Sequence, residues 1–101
     1  MAIAKKWSRY TKDNARSVTN VYGVYELADG AGNIAYIGEG KLRERLIAHL
    51  SIRSDPTPGV SYFRYATTGS KRRAKQRQNA MLSEFSRAYG RLPIYNQKRR
   101  G

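Results

Sequence analysis

Apolar and polar positions divide the chain into blocks of different period. Val21-Tyr22-Gly23-Val24-Tyr25-Glu26-Leu27 is a β-branched and aromatic run that predicts a strand. Residues 28–33 hold Asp29-Gly30 and Gly32-Asn33, both turn dipeptides. Ile34-Ala35-Tyr36-Ile37 therefore reads as the returning strand of an antiparallel hairpin, and Gly38-Glu39-Gly40 is expected to break the chain. Over residues 41–50, Leu42, Leu46, His49 and Leu50 share one face at helical spacing. Residues 51–59, with Pro56 and Pro58, read as loop, and residues 60–66 alternate as a third strand. Residues 67–70 lead into a long helix that ends near Tyr89, ahead of Gly90 and Pro93. Its apolar stripe is Met81, Leu82, Phe85, Ala88 and Tyr89.

The order hairpin, helix, strand, helix predicts a small α/β (α+β) domain, an antiparallel sheet with helices packed on it. Residues 1–20 read as a basic N-terminal arm, 21–97 as the folded domain and 98–101 as a basic tail. At 101 residues the chain makes one domain with a modest core.

Charge narrows the partner. Lys and Arg number 20 against 7 Asp and Glu, a formal net charge of +13. A chain this small and this basic repels itself, and a polyanion relieves the repulsion. The 11% aromatic content argues against a disordered basic tail. Without cysteine there is no disulfide framework or thiolate metal site, and a single histidine excludes a poly-histidine zinc site. No apolar run approaches the ~18 residues of a membrane span, so the expectation is a cytoplasmic protein, prokaryotic, nucleoid-associated or viral, whose partner is a nucleic acid rather than a membrane. Lys41, Arg43, Lys71, Arg72, Arg73, Lys75 and Arg77 are the candidate phosphate contacts.

Gly23-Val24-Tyr25 on the first strand and Tyr36-Ile37-Gly38 on the second resemble the paired motifs of the GIY-YIG endonucleases. Arg45-Leu46-x-x-His49 on the next helix and Pro93-x-Tyr95-Asn96 near the C-terminus extend the resemblance over roughly residues 21–96. It implies a three-stranded antiparallel sheet flanked by helices and hydrolysis of a DNA phosphodiester with one Mg²⁺ (or Mn²⁺). The implied site residues are Tyr25, Tyr36, Arg45, His49 and Asn96. Their types suit that chemistry. Arg45 and His49 stand at i and i+4 on one helix face, and Arg neutralises charge on a phosphate through a planar fork. Two strand tyrosines on one face approach each other closely enough to orient a water.

The family places a metal-binding Glu on the last helix, and two positions compete for that place. Glu84 stands twelve residues before Asn96, a spacing that resembles the excision-repair branch of the family. Helical phase instead sets Gln78 in line with Met81 and Leu82, facing the sheet. A neutral Gln is a weak sole ligand for Mg²⁺. A DNA-binding module without catalysis therefore stays open beside the nuclease, and a ribosomal or chromatin-type packing protein stands behind both.

Overall fold

Residues 3, 5–50 and 59–97 are described by the computed structural model. The loop expected over 51–59 lies outside the described residues except for Gly59, and so does the tail expected at 98–101. The elements follow in the order β1 (Ser8–Arg9), α1 (Lys12–Arg16), β2 (Tyr22–Asp29), β3 (Ile34–Lys41), α2 (Leu42–Leu50), β4 (Val60–Thr67) and α3 (Lys71–Tyr89). A single 3₁₀ turn, Ile94–Asn96, closes the described chain. The fold is α+β: an antiparallel sheet ordered β1-β4-β2-β3, with helices on both faces.

The sheet has four strands where the sequence pattern yields three. The extra strand is β1, two exposed residues paired with Phe63 and Tyr62 on β4. A polar two-residue edge strand has no apolar alternation to reveal it. The segment read as an arm also carries α1, whose N-cap Thr11 accepts a bond from the Asn14 amide. Ala15 and Val18 are buried in the core with Leu42 and Leu46 of α2.

Strand parity divides the core. Tyr25, Leu27 and Phe63 face α1 and α2, while Val24 and Ile37 face Ile3 and the Met81 and Phe85 side chains of α3. Gly38-Glu39-Gly40 does not break the chain. β3 runs through it, pairing Gly38 with Tyr25, Gly40 with Gly23 and Lys41 with Tyr22 before α2 begins at the next residue. Cross-strand pairing overrides the weak strand propensity of glycine. At Gly38 the missing side chain is a requirement, because a Cβ there would overlap the Tyr25 ring and hydroxyl.

Glu26 lies in the middle of β2 and is 2% exposed. Burial pushes its carboxyl above the usual range, while the Arg64 guanidinium, with Nε donating to Oε1 at 2.6 Å, pulls it back. A buried carboxylate needs such a partner. Arg64 in turn lies 4.0 Å from the centroid of Trp7 and donates to the Lys5 carbonyl at 3.1 Å, which fastens the N-terminal segment over β4.

Ser70 caps α3 by accepting from the Arg73 amide, and Gly90 ends it in the left-handed conformation. Ala74, Met81 and Phe85 are its buried residues. Ala88 and Tyr89, expected on the sheet-facing stripe, are exposed: the last turn lies past the sheet's cover, and Tyr89 packs on the Phe85 ring at 4.5 Å. Among the described residues no helix is long and apolar enough to cross a membrane.

Candidate active site

Four of the five residues assigned by the motif meet on the α2 face of the sheet. Tyr25 lies on β2 opposite Gly38, and Tyr36 lies on β3 opposite Leu27, two residues out of register and so on the same face. Their ring centroids are 6.1 Å apart, and the His49 ring lies 5.6 Å from Tyr25 and 4.9 Å from Tyr36. Tyr25 and His49 are hydrogen-bonded, hydroxyl to Nε2, at 2.8 Å. Arg45 also hydrogen-bonds Tyr25, one helical turn before His49, and its Cγ would stand 3.0 Å from a Cβ at Gly40. The bare backbone of Gly40 is what lets the Arg45 stem lie against β3. Since Arg45 can only donate, the Tyr25 oxygen accepts from it. The Tyr25 hydroxyl thus stands between the Arg45 guanidinium and His49 Nε2, hydrogen-bonded to both.

Exposure separates the roles. Tyr25 is fully buried and His49 is 3% exposed, whereas Tyr36 and Arg45 are half-buried. Burial first, and then the neighbouring Tyr36, push the Tyr25 hydroxyl well above the ordinary phenol range, against the opposing pull of Arg45. Tyr25 is therefore a phenol at neutral pH. It is held in the wall of the site, and Tyr36 and Arg45 form the accessible part.

A third tyrosine belongs to this cluster and sequence reasoning missed it. The Tyr10 hydroxyl donates to the Leu46 carbonyl at 2.5 Å, between Arg45 and His49 on α2, and its ring lies 5.5 Å from Phe63. Burial raises its pKa and the Arg45 charge opposes the shift. The only sequence signal for it is an aromatic residue in a basic segment.

Asn96 sits at the outer edge of β3. Its Oδ1 accepts from the Ile37 amide at 2.8 Å and its Nδ2 donates to the Ile37 carbonyl at 3.0 Å. Gln78 Nε2 donates to the same carbonyl at 3.2 Å. The two carboxamides thus bracket the residue after Tyr36. Glu84 is placed elsewhere, beside a hollow of about 180 Å³ lined by Glu26, Ile34, Ile37, Met81 and Phe85 on the α3 face.

This arrangement bears on the metal. Among the described residues no group of three His, Asp or Glu is placed to hold an ion. The corner beside Tyr36 offers carboxamides whose nitrogens serve Ile37, and Glu39, two residues along β3, pairs with Lys75 at 4.0 Å. Mg²⁺ binds through one or two carboxylates with near-octahedral demands. The donor set does not fit a resident Mg²⁺ or Mn²⁺ held by protein ligands.

Gln78→Glu tests this corner. The substitution removes the donor to Ile37 and is expected to cost about 1 kcal/mol of stability, while adding the carboxylate the corner lacks. Calorimetric Mn²⁺ binding should strengthen in Gln78→Glu and stay unchanged in Glu84→Ala. Loss of Mn²⁺ binding in Glu84→Ala would instead place the ligand at the spacing-matched position.

The basic candidates divide. Lys71, Arg72, Arg73 and Lys75 are exposed on the first turns of α3. Lys41 ends β3 with its ammonium 5.6 Å from the Tyr22 ring centroid. Arg43 donates from Nε to the Val18 carbonyl at 3.1 Å, a tie between α2 and the end of the α1 segment. Arg77 is half-buried and its charge acts on Glu26.

Residues 1–87 match a family model described as Domain of unknown function (DUF7508). No curated protein matches the chain.

Proposed function

The chain belongs to the DUF7508 family, and from the site's geometry we propose that it is a DNA endonuclease of GIY-YIG type, hydrolysing or nicking a phosphodiester. The observation that carries this reading is the contact of Tyr25, Tyr36 and His49 with Arg45 bonded to Tyr25. Structural tyrosines need no histidine and arginine converging on them, whereas phosphoryl transfer needs a positioned cation and hydroxyl groups at the phosphate.

The roles follow from exposure. Arg45 meets the phosphate and stabilises the charge that grows on its oxygens. Tyr36 orients the attacking water beside it. A P–O bond forms to that water as the ester P–O bond breaks, the water's proton passing to solvent and the leaving oxygen taking one back. Tyr25 and His49 act from behind, fixing the Arg45 and Tyr36 side chains. Asn96 holds the backbone of Ile37 and so the position of Tyr36.

A second reading, the DNA-binding module on the same fold, is favoured by the carboxamide at Gln78 and by the lack of an acidic cluster among the described residues. Supercoiled plasmid incubated with Mg²⁺, with Mn²⁺ and with chelator separates the two. Nicking that Arg45→Ala eliminates supports the nuclease, and retarded but intact plasmid under all conditions supports the module.

Both readings require a salt-sensitive DNA complex. The logarithm of affinity should fall linearly with the logarithm of salt. Replacing Arg72, Arg73 and Lys75 together by Ala should flatten the slope by about 0.9 for each phosphate that is no longer neutralised. Fluorescence anisotropy across a salt series measures it. An unchanged slope would make this run a solvated helix face.

A further inference from the structure

Resting on the DNA reading above, we infer that the hollow at the basic end of the sheet receives an unstacked nucleotide base, so that the preferred DNA carries unpaired nucleotides. The hollow is open, about 490 Å³, and is lined by Asn20, Val21, Tyr22, Lys41, Thr67 and Gly69. That volume is within the range of small-molecule sites, about 300–1,000 Å³. It lies where β2 begins and β3 and β4 end, so the starts of α2 and α3 flank it.

Two features of the hollow fit a nucleotide. The first is its mixed chemistry. Val21 is 39% exposed, one of the large apolar side chains left on the surface, and Tyr22 beside it offers a ring. An apolar and aromatic floor takes the face of a base, which any base presents. The second is charge. Lys41 forms one wall, and the first turn of α3, just past Gly69, carries Lys71, Arg72 and Arg73 with no acidic residue. Paired duplex asks only for the cations. Cations around an aromatic floor are what single-stranded nucleic acid asks for.

The hollow is separate from the Tyr25 and Arg45 face. Tyr22 and Lys41 pair and by strand parity stand on the α3 side of the sheet, whereas Tyr25 and Arg45 stand on the α2 side. A base seated there lies round the strand ends from Arg45, in an accessory site rather than part of the Tyr25 cluster. Regular duplex keeps its bases stacked and cannot fill the hollow. A flap, a junction or a single strand fills it at little cost, because its bases are already unpaired.

Anisotropy with three DNAs of common sequence tests the inference: blunt duplex, single strand, and duplex with a single-stranded flap carrying 2-aminopurine. The wild-type chain should bind the two unpaired forms about tenfold more tightly than blunt duplex at one salt concentration, and 2-aminopurine fluorescence should be quenched on binding. Tyr22→Leu should bring the ratio close to one and abolish the quench, whereas Tyr22→Phe should keep both. Val21→Glu, at a side chain that is 39% exposed, should also lower the ratio by placing a carboxylate at the mouth. Equal affinity for all three DNAs without quenching would overturn the inference and leave DNA binding standing. So would a preference that survives both Tyr22→Leu and Val21→Glu. No binding to any of the three at low salt would overturn the DNA reading itself.

Discussion

Replacing Arg45 by Ala is expected to lower the rate of plasmid nicking by about 10²–10³-fold while changing DNA affinity only a few-fold. A preorganised donor at developing charge is worth that much in rate, whereas one phosphate contact among several is a small part of a counterion-driven affinity. The structure adds a reason for the loss to be large. Arg45 bonds Tyr25, which bonds His49, so the substitution also leaves the buried hydroxyl with one partner fewer. Single-turnover nicking beside equilibrium anisotropy separates rate from binding. Cleavage within a few-fold of wild type would remove Arg45 from the phosphate.

The second large effect is on folding. Gly38→Ala is expected to cost at least about 2 kcal/mol, since overpacked cores lose about 1–3 kcal/mol and the displaced ring also leaves a hydrogen bond. A Cβ at Gly38 would occupy the place of the Tyr25 ring and hydroxyl, and that ring is buried with His49 fixed to it. For a domain of this size the destabilisation corresponds to a fall in Tm of roughly 10 °C. Gly30→Ala is the control: its Cβ would come no nearer than 3.7 Å to Ser61 Oγ, and Tm should hardly move. Thermal unfolding followed by circular dichroism measures both. Equal Tm values for the two variants would show that the Tyr25 ring is not held against Gly38.

These two residues mark what was legible in the sequence. Tyr25 and Tyr36 are readable as neighbours because a two-stranded hairpin with period-2 alternation leaves little freedom in which residues share a face. Arg45 and His49 follow from helical periodicity alone. The division of labour among them was not legible, because it depends on depth. Tyr25 and Tyr36 are the same residue type on adjacent strands, yet α2 seals one and leaves the other accessible. Tyr10 reaches Leu46 across 36 positions and Asn96 reaches Ile37 across 59, separations that no local pattern encodes. The long β3 was hidden for the opposite reason. Gly38-Glu39-Gly40 has the local character of a turn, and only its pairing with residues 22–25 makes it strand.

The Asn96 bracket has a consequence for how the protein keeps to itself. β3 is an eight-residue edge strand, and the open amides of an edge are a template on which a foreign strand can grow. Asn96 answers the Ile37 N–H and C=O with one side chain, presenting to the sheet's edge the donor and acceptor that an added strand would supply. Gln78 takes the remaining lone pair of that carbonyl from the side of α3. A newcomer would have to displace both carboxamides before it could register beside Tyr36. The turn that steadies the site thus also guards the sheet against self-association, and a chain truncated before Asn96 would expose this stretch to strand-by-strand aggregation.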